Sequence, residues 1–146
     1  MTIRATALFC EDIREEVGGT ATVVGIVPDN AGIKRFPITL PKLGIYVRVS
    51  MPSDTERPRP MTIVLRHADG NEVNLADFTE DFVRETCATT RGQGSPLATF
   101  IATTIASPFP VLSEGRLLVL LRIVGGEEMV IGGMNFALAE GHQPQI

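Results

Sequence analysis

Apolar and polar residues alternate with a period of two along most of this chain, the pattern of strands that show one face to a core. Ala5, Ala7 and Phe9 alternate with Arg4, Thr6 and Leu8, and Thr20, Thr22 and Val24 with Ala21, Val23 and Gly25. Leu43, Ile45, Val47 and Val49 alternate with Gly44, Tyr46, Arg48 and Ser50, the clearest half-buried strand, and Met61, Ile63 and Leu65 with Thr62, Val64 and Arg66. The later runs are apolar on both sides. LATFIATTIA (Leu97 to Ala106) carries β-branched residues on both faces, and RLLVLLRIV (Arg116 to Val124) is almost continuously apolar. Both read as deeply covered strands. Glu114-Gly115 before the second run and Gly125-Gly126 after it are turn signals that favour a strand over a helix. EMVIGGMNFAL (Glu128 to Leu138) reads as the returning strand, with Gly132-Gly133 marking a bulge.

Turn chemistry separates these runs. Gly18-Gly19, Pro28-Asp29-Asn30, Ala68-Asp69-Gly70-Asn71 and Gly125-Gly126 all tolerate the backbone conformations that tight hairpins need. About eight short strands at this spacing predict an all-β fold, an antiparallel sandwich with Ig-like or jelly-roll connectivity. MPSDTERPRP (Met51 to Pro60), with three prolines and four charges, predicts an exposed loop over 51–60. In ADFTEDFVRETCATTRGQGSP, Asp77 with Glu80 predicts a capping box and a short helix through about Arg84. The threonine-rich continuation favours strand or loop, with an exposed loop over 88–96. The tail, 140–146, lacks periodicity and is predicted to fray.

The chain has 146 residues, which suits a single domain over 1–146 with a core of its own. Seven Phe, one Tyr and no Trp leave that core to Val, Ile, Leu and Ala. A net charge of −4 without a basic stripe argues against nucleic-acid binding. No apolar run is long enough for a membrane span, and MTIRATALFCEDIR does not have the form of a signal peptide. A cytoplasmic location is therefore expected, or a virion if the protein derives from a phage. Cys10 and Cys87 are expected to be free thiols in a reducing compartment.

Several constellations invite a chemical reading. FCEDIREEVGG places Glu11, Asp12, Glu15 and Glu16 close together. Gathered round a hard cation, Glu11, Asp12 and Glu15 would make a carboxylate site, but the spacing matches no calcium loop. The preferred reading ends the first strand near Cys10 or Glu11 and sends the charged run across solvent. Asp12 and Arg14 then anchor the connection by side-chain hydrogen bonds to the backbone. A thiol enzyme needs a base beside its nucleophile. Cys10, His67 and Asp69 supply the residue types, but no signature surrounds Cys10. The two cysteines with His67 and His142 lack zinc-site spacing. GGEEMVIGG is not a nucleotide loop and GQGSP not a nucleophile elbow. No cofactor, metal or catalytic residue is expected.

The segment ALFCEDIREEVGGTATVVGIVPD, followed by FPITLPKLGIYVRV, resembles a family of small uncharacterised bacterial proteins, a domain of unknown function. The resemblance covers roughly the first third of the chain. It implies a β-sandwich and no activity.

The strongest remaining feature is apolar excess. Leu117, Val119, Leu121 and Ile123 can face one way while Leu118, Leu120 and Val124 face the other. A two-layer sandwich buries one face of each sheet, so the second face needs a cover, either the 76–96 segment or another subunit. The function expected is a non-enzymatic interaction or assembly module, a homo-oligomer or the binder of a protein partner. A phage shell or tail component is one form of it, and a small enzyme using Cys10/His67/Asp69 or Glu11/Asp12/Glu15 is the alternative.

Overall fold

The structure is a computed structural model and describes residues 2–139. The tail over 140–146, with His142, lies outside the described residues. Among the described residues there are eleven strands and one helix: β1 (Arg4–Glu15), β2 (Ala21–Ile26), β3 (Asn30–Ile33), β4 (Ile38–Leu40), β5 (Leu43–Pro52), β6 (Met61–Arg66), β7 (Glu72–Phe78), α1 (Glu80–Gly92), β8 (Leu97–Ala106), β9 (Phe109–Val111), β10 (Gly115–Ile123) and β11 (Glu128–Leu138). The all-β sandwich is confirmed, with more strands than the expected eight. The short strands β3, β4 and β9 carry too few residues for a period of two to register.

The first sheet has four strands in the order β2-β1-β5-β8, the second five in the order β3-β11-β10-β6-β7. Pairing is antiparallel except between β11 and β3, which run parallel. The core lies between the sheets. From the first come Phe9, Ile45, Val47, Val49, Met51 and Phe100; from the second, Ile63, Leu65, Val119, Leu121, Met134 and Phe136. Phe9, Ile45, Val47, Val49, Ile63, Leu65, Val119 and Leu121 are members of the alternations read from the sequence; Met51, Phe100, Met134 and Phe136 are not. On one flank, Gly132 of β11 comes so close to β1 that a Cβ there would lie 2.5 Å from the Ala7 carbonyl oxygen. The register of β11 against β10 shifts beside it, between Val119 and Leu120, the bulge that Gly132-Gly133 predicted.

Helix α1 closes the opposite flank, between edge strands β7 and β8. Its cap is Thr79, whose hydroxyl accepts the Phe82 N–H at 3.2 Å, and not Asp77, which belongs to β7. The helix also runs past Arg84 through the threonines to Gly92. Val83 and Cys87, one turn apart, are buried in the core. That burial overrides the weak helix propensity of Thr, and the expected loop over 88–96 is helical as far as Gly92. Phe78, Phe82 and Phe100 cluster where helix and sheets meet, with centroids 5.6–6.0 Å apart, Phe78 stacked on Phe82 and Phe100 tilted against both. The loop expected over 51–60 begins two residues late, because Met51 and Pro52 still pair with β8. Ser53, the one buried polar residue among those described, gives its hydroxyl proton to the Ser95 carbonyl at 2.7 Å.

Candidate functional site

The residues proposed for chemistry are dispersed. Cys10 is fully buried on β1, opposite Gly44, and Gly44 leaves the room that its Sγ occupies. Burial pushes the Cys10 thiol above its ordinary range, against a backbone hydrogen bond from Asp12, the reverse of what a nucleophile needs. His67 stands just past the end of β6 in the other sheet, stacked on Phe109 at 5.8 Å. Asp69 is held in the β6–β7 turn, accepting the Asn71 backbone N–H at 2.9 Å and its side-chain amide at 2.9 Å. Both line an open cleft of about 320 Å³ at one end of the sandwich, with Phe109, Phe136 and Arg116; Cys10 does not. Cys87 is also buried, its thiol raised by burial, and both cysteines are free.

The carboxylates of FCEDIREEVGG do not converge either. β1 does not stop near Cys10 or Glu11 but continues to Glu15, because β2 keeps pairing with it after β5 has ended. Asp12 accepts the Ile13 N–H at 2.9 Å, anchoring the chain as expected, and meets Lys42 at 3.2 Å. Hydrogen bonding from Lys42 holds the Asp12 carboxyl below its ordinary range. Glu11 packs over Gly25, while Glu16 accepts the Thr22 hydroxyl at 2.9 Å. Among the described residues no group of three or more His, Cys, Asp or Glu is placed to hold a metal ion.

The outer faces of the sheets carry the informative arrangements. On the second sheet, Leu120 opposes Val64, and both are buried although neither belongs to the core between the sheets. Arg66 and Arg122 flank this pair along the sheet, with Glu72 opposite Arg66 and Glu128 opposite Arg122. The four charges also bridge crosswise. Arg122 meets Glu72 at 2.6 Å and Glu128 at 2.6 Å; Arg66 meets Glu72 at 2.9 Å and Glu128 at 3.1 Å. Hydrogen bonds from Arg122, then Arg66, hold both glutamates below their ordinary range. The Arg–Glu lattice thus lies over Leu120, and neither the 76–96 segment nor a second subunit is needed to bury it, while Val130, opposite Leu120 on β11, and Val124 are each 59% exposed.

The first sheet is different. Its inward residues are Ala5, Ala7, Phe9, Ile45, Val47, Val49, Ala98 and Phe100, so alternation turns Leu8, Tyr46, Arg48, Leu97, Ile101 and Ile105 outward. Leu97, Ile101 and Ile105 are 54%, 52% and 44% exposed. β8 is therefore not covered on both faces as its composition suggested: it is an edge strand, flanked by α1, with one face open. Cross-strand rows Thr6–Arg48–Ile101 and Leu8–Tyr46–Thr103 continue the surface over β1 and β5. Arg4 and Arg48 are exposed on it, and neither has a carboxylate partner among the described residues. The signal in the sequence was the spacing of Leu97, Ile101 and Ile105, four apart and hence on one face, in a strand without a charge.

No helix of the described residues is long and apolar enough to cross a membrane. A family model described as Family of unknown function (DUF6941) matches residues 5–106, from β1 through β8, well beyond the third of the chain that carried the resemblance. No curated protein and no solved structure matches the chain.

Proposed function

The chain belongs to this family of unknown function, and from that premise we propose that it is a non-enzymatic interaction module that assembles with copies of itself through the outer face of its first sheet. The observation that carries the reading is the open row of Leu97, Ile101 and Ile105 beside Leu8 and Tyr46. Contiguous apolar surface of this kind marks association sites. The arrangement of Tyr46 and Arg48 among aliphatic residues also suits an interface, where Tyr and Arg are enriched. The raised Cys10 thiol and the scattered carboxylates favour an interaction role over catalysis.

Light scattering on a sizing column, over a range of protein concentrations, tests the reading. The wild-type chain is expected to form a defined oligomer, and Ile101→Asp to shift it to monomer with the circular dichroism unchanged. A wild-type monomer at every concentration would overturn the reading.

A further inference from the structure

Resting on that self-association, we propose that the contact is head-to-tail: the acidic β1–β2 hairpin of one copy seats on the outer face of the first sheet of the next. β1 leaves β5 at the Cys10–Gly44 pair, and Asp12–Glu15 are paired with β2 alone. The ribbon therefore extends past the four-stranded body. Its tip is closed by the Glu16 N–H to Thr20 carbonyl bond at 2.8 Å, with Gly18 and Gly19 at φ +99° and +87°. Val17 at the tip is fully exposed.

Charge selects this occupant for the face. The hairpin bears Glu11, Asp12, Glu15 and Glu16 against Arg14 alone, and Glu11, Glu15 and Glu16 form no ion pair among the described residues. The outward positions of β5 and β8, and of β1 from Arg4 to Cys10, include Arg4 and Arg48 and no carboxylate. A face-to-face twofold contact would bring two such arginine-bearing surfaces together. A hairpin on the face instead sets carboxylates against arginines and offers Val17 to the apolar row. Two different surfaces joined in this way generate a ring if the rotation closes and a filament if it does not.

The test is complementation between two variants of the full chain. Glu15→Gln/Glu16→Gln strips the hairpin of its charge and keeps the face; Arg48→Glu spoils the face and keeps the hairpin, and a neutral hairpin gains nothing from Glu at 48. Each alone is expected to be monomeric at concentrations at least about tenfold above those at which wild type assembles. Mixed in equal amounts they are expected to form a dimer and stop there, since only one good hairpin–face contact remains. Thermal unfolding confirms that each is folded, and Val17→Asp, at a fully exposed position, serves as a second hairpin variant. If the hairpin variants assemble like wild type while Arg48→Glu does not, the contact is face-to-face: head-to-tail docking fails and self-association stands. If both variants are monomeric but the mixture stays monomeric, head-to-tail docking also fails. A monomeric wild type overturns both.

Discussion

On the outer face of β6 and β10, Val64 and Leu120 lie beneath two arginines and two glutamates; on that of β5 and β8, Ile101 lies beside Arg48 and Ile105 opposite Gly44, both open to solvent. The strands are comparable in kind. β10 is the more apolar, yet it is β8 that offers its side chains to solvent. The difference comes from the neighbours. Arg66 and Arg122 each have a glutamate directly opposite on the next strand, and the two pairs are close enough to cross-link. Arg48 stands between Thr6 and Ile101 and, among the described residues, has no acid to close over the apolar row. β10 is also central, paired on both sides, while β8 is an edge. A strand apolar on both faces therefore does not by itself locate an interface; the cross-strand charges around it decide.

The sharpest way to break this contrast is to cut the same kind of side chain on each face. Leu120→Ala is expected to lose about 2–5 kcal/mol, as buried Leu-to-Ala changes do, read as a lower urea midpoint. A loss under about 1 kcal/mol would mean that the lattice leaves Leu120 wet.

Next in size is the helix that flanks the open strand. Thr79→Ala removes the hydroxyl that caps α1 and is expected to cost about 1 kcal/mol, again in urea. An unchanged midpoint would show that Val83 and Cys87 alone hold the helix.

Smaller still is the pH dependence of the sealed face, since exposed ion pairs contribute modestly. Glu72 and Glu128 titrate below the ordinary glutamate value of about 4.3. Their folded pKa values are lowered, so their contribution is fully present above that value and is lost as pH falls through the lowered ones. Glu72→Gln/Glu128→Gln is expected to flatten the acid limb of stability against pH. An equally steep limb in the double variant would assign it to other carboxylates, Asp12 among them.

The smallest stability effect belongs to the open face. Ile101→Ala is expected to change monomer stability by no more than about 0.5 kcal/mol while weakening assembly. A large loss of stability in the dissociated monomer would show that Ile101 supports the fold itself.

Much of the fold was legible because its signals are local. Strands over 43–49, 61–66, 97–106, 116–124 and 128–138 declared themselves by alternation and flanking glycines, and each is present within a few residues. The helix was half legible. Thr79 followed by Glu80 and Asp81 is a helix start, but Asp77 competed for the cap. Nothing local told Thr89 and Thr90 to stay helical; burial of Cys87 did. The candidate site was the least legible part. FCEDIREEVGG drew attention for its chemistry, yet its structural role is to extend β1 past β5, paired with β2 alone. Ile101 and Ile105 drew none, because an outward isoleucine on an edge strand has the same local sequence as one in a core.

The sequence by itself determined the class of fold, the inward residues of the alternating strands and the turns, since period and glycine placement act between neighbours in the chain. Only the tertiary structure decided which apolar face is covered. Cover over Leu120 comes from Glu72 reaching Arg122, fifty residues away, and the open face of β8 from that strand lying at an edge with Ile101 and Ile105 turned to solvent. Such pairings are set by sheet order, which depends on contacts between distant segments and leaves no trace in any one of them.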